Sequence, residues 1–227
     1  MSALDDLVAV MARLRGPGGC PWDAEQTHAS LVPYVVEEAH ELAEAVETGD
    51  DAHLREELGD MLLQVVFHAD IARAEGRFDV DDVARTLIEK LRRRHPHVFD
   101  DLAVDGVADV VANWDAIKRA EKPERSSALD GIPVTLPALA RAEKTMSRAR
   151  RAGLALPQAP ADAGPADGRP ADGAPADEQA LGAALLALVQ SASEQGLDAE
   201  RALRTATRAL EHELRAQESA QRESTQP

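Results

Sequence analysis

The sequence predicts an all-α protein, and three observations lead there. Apolar residues recur at spacings of three and four along most of the chain. No stretch alternates convincingly in the way a half-buried strand does. Hydrophobic residues make up 44% of the 227 residues, but aromatics only 3%. A core built from Leu, Val and Ala favours packed helices over stacked sheets.

The first element is LDDLVAVMARL, residues 4–14, a short amphipathic helix ended by GPGG at 16–19. CPWDAEQTHASL reads as a loop that re-enters helix near Thr27. A long helix is expected from about Leu31 to Glu47, broken by TGDD at 48–51. A second runs from about His53 to Glu75. Its segment MLLQVVFHADIA is apolar almost all round, which calls for neighbours on both faces, from a second subunit or from the helix at 79–94. That next helix has Asp79 as N-cap and stops before Pro96. Residues 107–122 form another helical run, 123–137 are proline-marked turns, and 136–153 form a basic helix.

Bulk properties exclude several classes. A net charge of -16 argues against a general nucleic-acid surface. Cys20 is the single cysteine, so no disulfide can form within the chain and a cysteine zinc cluster is excluded in practice. No apolar run reaches membrane-spanning length, and the acidic start MSALDDL lacks a signal-peptide core. The expectation is a cytoplasmic protein that binds neither membrane nor nucleic acid.

The acidity is concentrated in VVEEAHELAEAVETGDDAHLREELGD, residues 35–60, where Arg55 is the one Lys or Arg. On a helical wheel, Val35, Ala39, Leu42 and Val46 form an apolar stripe, with Glu38 and Glu41 along its border. On the second helix, Leu54, Leu58, Met61 and Val65 form the stripe, and Glu57 and Asp60 take the same wheel positions. The offset from Glu38 to Glu57 and from Glu41 to Asp60 is nineteen residues. A short connection makes the helices antiparallel, so the two carboxylate pairs converge at the edge of the interface. Four such groups repel, and a divalent cation resolves the repulsion. Mg²⁺ is the natural choice, with its demand for hard oxygen ligands, and Mn²⁺ can substitute. The plainer alternative is a solvated acidic face, but such a face would use more Lys and Arg at i±4.

These motifs closely resemble the MazG family of nucleoside triphosphate pyrophosphohydrolases. The resemblance runs through LRGPGGCPWDAEQTH, EEAHE, REELGDMLLQVVFHADIA, EGRF, EKLRRRHPHVF and NWDAIKRAEK, over residues 7–150. It implies a helical bundle of the all-α NTP pyrophosphatase type, completed by dimerisation. It also implies Mg²⁺-dependent conversion of (deoxy)nucleoside triphosphates to monophosphate and pyrophosphate. Enzymes of this kind clear the nucleotide pool, often with broad base tolerance. The family's EExxE and ExxD motifs fall on Glu37–Glu41 and Glu57–Asp60. By resemblance, Glu38, Glu41, Glu57 and Asp60 are metal ligands. Glu37, nearer solvent, orients or deprotonates the attacking water or binds a second ion, and Glu38 is the other candidate for that proton.

A triphosphate also needs positive charge. Lys90, Arg93 and Arg94 share one side of their helix and are one source, unless they only complement its dipole. Lys118 and Lys122 are a second source, or a solvated face. Trp22, beside Asp23, borders the base pocket or plugs the helix ends. His28, His95 and His97 are candidates for phosphate contact. A narrower substrate, such as dUTP/dCTP or a phosphoribosyl-nucleotide, and a non-catalytic helical module are the competing readings.

The domain expectation is a catalytic unit at 1–125 and a basic connecting helix at 126–156. A Pro/Ala/Asp linker without an apolar face follows at 157–177, expected to be disordered. Residues 178–217 look like a decayed second copy, because ALGAALLALV aligns with ELGDMLLQVV. Ala180 then replaces Glu57, and Ala183 replaces Asp60. Residues 218–227 are expected as a flexible tail.

Overall fold

A computed structural model describes residues 2–100, 102–156 and 177–225. The linker expected at 157–177 lies outside the described residues, except for Asp177. The described residues are helical, with no strand among them. In order they form α1 (Ala3–Arg15), α2 (Pro21–Glu25), α3 (Val32–Thr48), α4 (Asp51–Ala74) and α5 (Val80–Arg94). Then come α6 (Pro96–Phe99), α7 (Val107–Glu121), α8 (Ala138–Arg151), α9 (Glu178–Glu194) and α10 (Ala199–Thr225). None is long and apolar enough to cross a membrane. The chain divides into two compact units, Met1–Lys118 and Arg119–Pro227.

In the first unit, local chemistry sets each helix end. Ser2 and Asp5 form a capping box at the start of α1. The GPGG stop then folds tightly: Cys20 N–H donates to Leu14 O at 2.7 Å. A Cβ at Gly19 would stand 2.2 Å from that same carbonyl, so only glycine fits. PWDAE, expected as loop, makes the single helical turn α2, with Pro21 at a position where its missing N–H costs nothing. Gly49, at φ 74°, ends α3 in the left-handed region. Asp50 caps α4, accepting from the N–H groups of Ala52 and His53. Two residues therefore reverse the chain and lay α3 against α4. Asp79 caps α5 in a second capping box with Asp82.

The core lies at the far end of α4 from that turn. Met11, Leu31, Val66, Phe67 and Ile71 are buried together, with Leu7, Val8, Leu62, Leu63 and Val80 packed around them. The apolar-all-round segment of α4 thus finds its neighbours within the chain, in α1, α3 and α5.

Within this core sits a buried carboxylate. Asp70 Oδ2 accepts from Arg15 Nε at 2.9 Å, and Oδ1 accepts from Arg73 Nε and Nη2 at 3.0 and 2.7 Å. Arg15 also donates to Asp23 O at 2.5 Å and lies over the Phe67 ring at 5.1 Å. One guanidinium thereby ties α1, α2 and α4 together.

The second unit gathers α8, α9 and α10. Asp177 caps α9. Ala149 and Val189 are buried, and Arg150 Nη1 donates to Ser193 Oγ at 3.0 Å. Arg148 Nη1 reaches Asp130 O at 2.6 Å. Helix α10 continues to Thr225, through most of the stretch expected as a tail.

Both tryptophans, Trp22 and Trp114, fall in the first unit, so their emission reports its unfolding alone. Asp70→Ala leaves Arg15, 10% exposed, without its partner. Urea titration followed by that emission is expected to show a loss of about 3–5 kcal/mol. A loss below about 1 kcal/mol would mean that Arg15 is solvated in the variant.

Candidate active site

The α3–α4 seam is turned relative to the wheel drawn from the sequence. Val46, Leu58 and Val65, expected inside, are 61%, 53% and 43% exposed. Leu31 at the N-cap of α3, and Val35, Glu38, Leu42 and Ala45 within it, turn inward. On α4, steps of seven back from buried Ile71 meet buried Gln64 and buried Glu57. The reason lies in α4 itself. A helix apolar nearly all round has no single stripe to set its rotation, and the core around Phe67 and Ile71 sets it instead. The carboxylates therefore run from buried Glu57 within the seam to exposed Glu41 at its rim.

Glu38, Glu41 and Glu57 each bring one carboxylate oxygen into a group whose members all lie within 4.8 Å of one another. Glu57 is buried, Glu38 half-buried and Glu41 exposed, so the group opens from the seam to the surface. Desolvation raises the Glu38 pKa above the ordinary glutamate value, and the charges of Asp60, Glu41, Glu57 and Glu37 raise it further. Asp60 is half-buried and acts on Glu38 through its charge, though it is not part of that close group. Glu37 is exposed on α3.

A divalent cation suits this donor set. Octahedral Mg²⁺ with oxygens at about 2.1 Å places adjacent ligands about 3 Å and opposite ligands about 4.2 Å apart. Glu57 Oε2 is buried and accepts no hydrogen bond from the protein, a state that is costly for a carboxylate without a cation or water.

The other candidates lie in the first unit, except Lys122, which lies in the second. Trp22 on α2 is half exposed and meets the Tyr34 ring edge-on at 6.0 Å. Lys90 and Arg93 are exposed and Arg94 half-buried at the end of α5, where Arg92 and Arg93 line an open cleft with Phe99 and Asp100. Lys118 Nζ lies 5.5 Å over the Trp114 ring, and Lys122 follows the end of α7. His95 packs edge-on against Trp114 at 5.1 Å, with His97 5.7 Å away.

His28 is engaged within the protein. Its Nδ1 is 2.7 Å from His68 Nδ1, and Arg77 Nη2 is 2.5 Å from its Nε2. Arginine only donates, so His28 Nε2 accepts and its proton lies on Nδ1, donated to His68. Burial, then the neighbouring His28, holds the His68 pKa below the ordinary histidine value. Sequence reading did not find this pair, nor Arg15–Asp70, nor the contact of His53 with Glu57. The last has a local signal in its i,i+4 spacing, and Asp70 a partial one as a carboxylate in an apolar run.

The fold and site define an all-helical protein with a carboxylate cluster suited to a divalent cation in a helix-hairpin seam. Residues 26–99 match the family model described as the MazG nucleotide pyrophosphohydrolase domain. The chain is 46% identical over 215 residues to an uncharacterized 26.1 kDa protein from the blaB 3' region of Streptomyces cacaoi, covering 94% of this chain and 81% of that one. It is 47% identical over 156 residues to the nucleoside triphosphate pyrophosphohydrolase of Escherichia coli K12, covering 67% of this chain and 59% of that one. It is 48% identical over 153 residues to the enzyme of the same name from Mycobacterium tuberculosis H37Rv, covering 66% and 46%. This chain belongs to the MazG family. It spans about half the length of these two named pyrophosphohydrolases.

Glu38→Gln removes one charge from the crowded group. In EDTA at neutral pH this variant is expected to unfold at higher urea than the parent, by tryptophan emission. Glu38 binds its proton more tightly in the folded state, so its penalty is present above its raised pKa and is relieved as pH falls through that value. The advantage of the variant should accordingly shrink on acidification. A less stable Glu38→Gln in EDTA would show that its charge is compensated within the protein.

Proposed function

We propose that this chain hydrolyses nucleoside triphosphates to nucleoside monophosphate and pyrophosphate, and clears surplus or non-standard triphosphates. The observation that carries this reading is the group of Glu38, Glu41 and Glu57 oxygens within 4.8 Å, inside the MazG-matched residues. Glu38, Glu41, Glu57 and Asp60 hold Mg²⁺, with Mn²⁺ able to substitute. When bound, the cation neutralises phosphate charge and makes water a better nucleophile.

The protein's own groups do the rest. Glu37, exposed beside the group, orients the attacking water, and Glu37 or Glu38 accepts its proton. Lys90, Arg93, Arg94 and Lys118 supply positive charge for the triphosphate. Trp22, half exposed, offers a ring face for the base. The working form is a homodimer or a higher homo-oligomer, supported by outward-facing Val36, Val46, Leu58 and Val65 on the hairpin. Residues 178–217 are a decayed second copy, with alanine at 180 and 183 where the active hairpin has Glu57 and Asp60.

Purified protein incubated with a panel of common and damaged triphosphates, with and without Mg²⁺, is expected to give monophosphate and pyrophosphate only with the cation. Diphosphate plus phosphate, or no turnover on any substrate, would refute the reading. Glu41→Ala and Asp60→Ala are each expected to abolish turnover while circular dichroism stays near that of the parent. Full turnover in either would remove that residue from the metal shell.

A further inference from the structure

Glu57 is a long side chain at a buried place, and something has to hold it there. An unrestrained glutamate samples many rotamers, and fixing it costs entropy. The holding group is one turn away on the same helix. His53 Nε2 lies 3.1 Å from Glu57 Oε1. The Glu57 side chain is 8% exposed, whereas that of His53 is 38% exposed. His53 is itself anchored, because its backbone N–H donates to Asp50 Oδ1 at 3.2 Å. The two oxygens of Glu57 are thus unequal: Oε1 faces the imidazole, and Oε2 is buried without a hydrogen-bond partner.

We propose that His53 is a positioning residue for the metal centre. Its imidazole meets Glu57 Oε1 through Nε2, limits the carboxylate rotamer, and leaves Oε2 as the oxygen presented to the cation. Partners of this kind behind a ligand typically change metal affinity by roughly 10–100-fold. The proposal rests on the reading of Glu57 as a metal ligand given above.

The test is Mn²⁺ binding by the full chain, followed by electron paramagnetic resonance of the free ion. His53→Phe keeps a ring without the donor and is expected to weaken binding roughly tenfold or more. His53→Gln places an amide N–H at the same i,i+4 spacing and is expected to restore most of the affinity. Unfolding in EDTA should be nearly the same for both variants and the parent, which separates positioning from a structural role. Should His53→Phe fail to fold, His53→Ala replaces it, alanine being well accepted in a helix. Parental affinity in the donor-less variant, or a loss that glutamine does not restore, overturns the role of His53. Glu57→Ala distinguishes the two levels. If it binds Mn²⁺ as the parent does, the metal-site reading itself fails. If it is impaired while the donor-less variant is not, only the role of His53 fails.

Discussion

Carboxylates packed into a helix–helix seam are the constraint on which this molecule turns. Glu57 is buried and Glu38 half-buried where α3 meets α4, with Glu41 within reach at the rim. Such a seam gains little from closing by itself, since the charges lose water and repel one another. It is held closed from the other end, where Met11, Leu31, Val66, Phe67 and Ile71 form the core. Helix α4 joins the two, with an apolar half that supplies adhesion and an acidic half that is carried along by rigidity.

The two buried carboxylates of α4 illustrate opposite uses of the same chemistry. Asp70 has both oxygens occupied by guanidinium groups from Arg15 and Arg73. It is a closed ion pair that locks α1 and α2 onto α4. Glu57 has one oxygen facing His53 and the other without a partner. A satisfied group serves architecture, and an unsatisfied one retains capacity for a ligand. Thirteen residues apart on one helix, they divide the first unit into a structural end and a reactive end.

Much of this was legible from the sequence because the relevant signals are local. Capping residues such as Asp79, the GPGG stop and the TGDD turn mark helix ends through chemistry within a few residues. The approach of Glu38 and Glu41 to Glu57 had its sign in a repeat in phase, whereas Asp60, in the same repeat, stays outside the close group. The rotation of the seam was not, because Leu58 and Val65 look like core on a wheel and are exposed. Their helix offers apolar residues in every direction, and the choice among them is made by contacts with α1 that are distant in sequence. Asp70 carried a partial signal: a carboxylate in the run FHADIA requires a partner. Nothing local, however, names Arg15, fifty-five residues away.

The two-residue connection at Gly49 and Asp50 has a consequence for how this chain can change over time. Both helices run without interruption from the reversal to their carboxylates, so the path from Glu41 to Glu57 has no slack. Removing or adding one residue there would swing one set of acidic groups by about 100° about its axis. Side chains on the outer faces, such as Glu44 or Asp51, are under no such restriction. Across descendants of this gene, the interval should resist insertions and deletions while those outer-face residues drift.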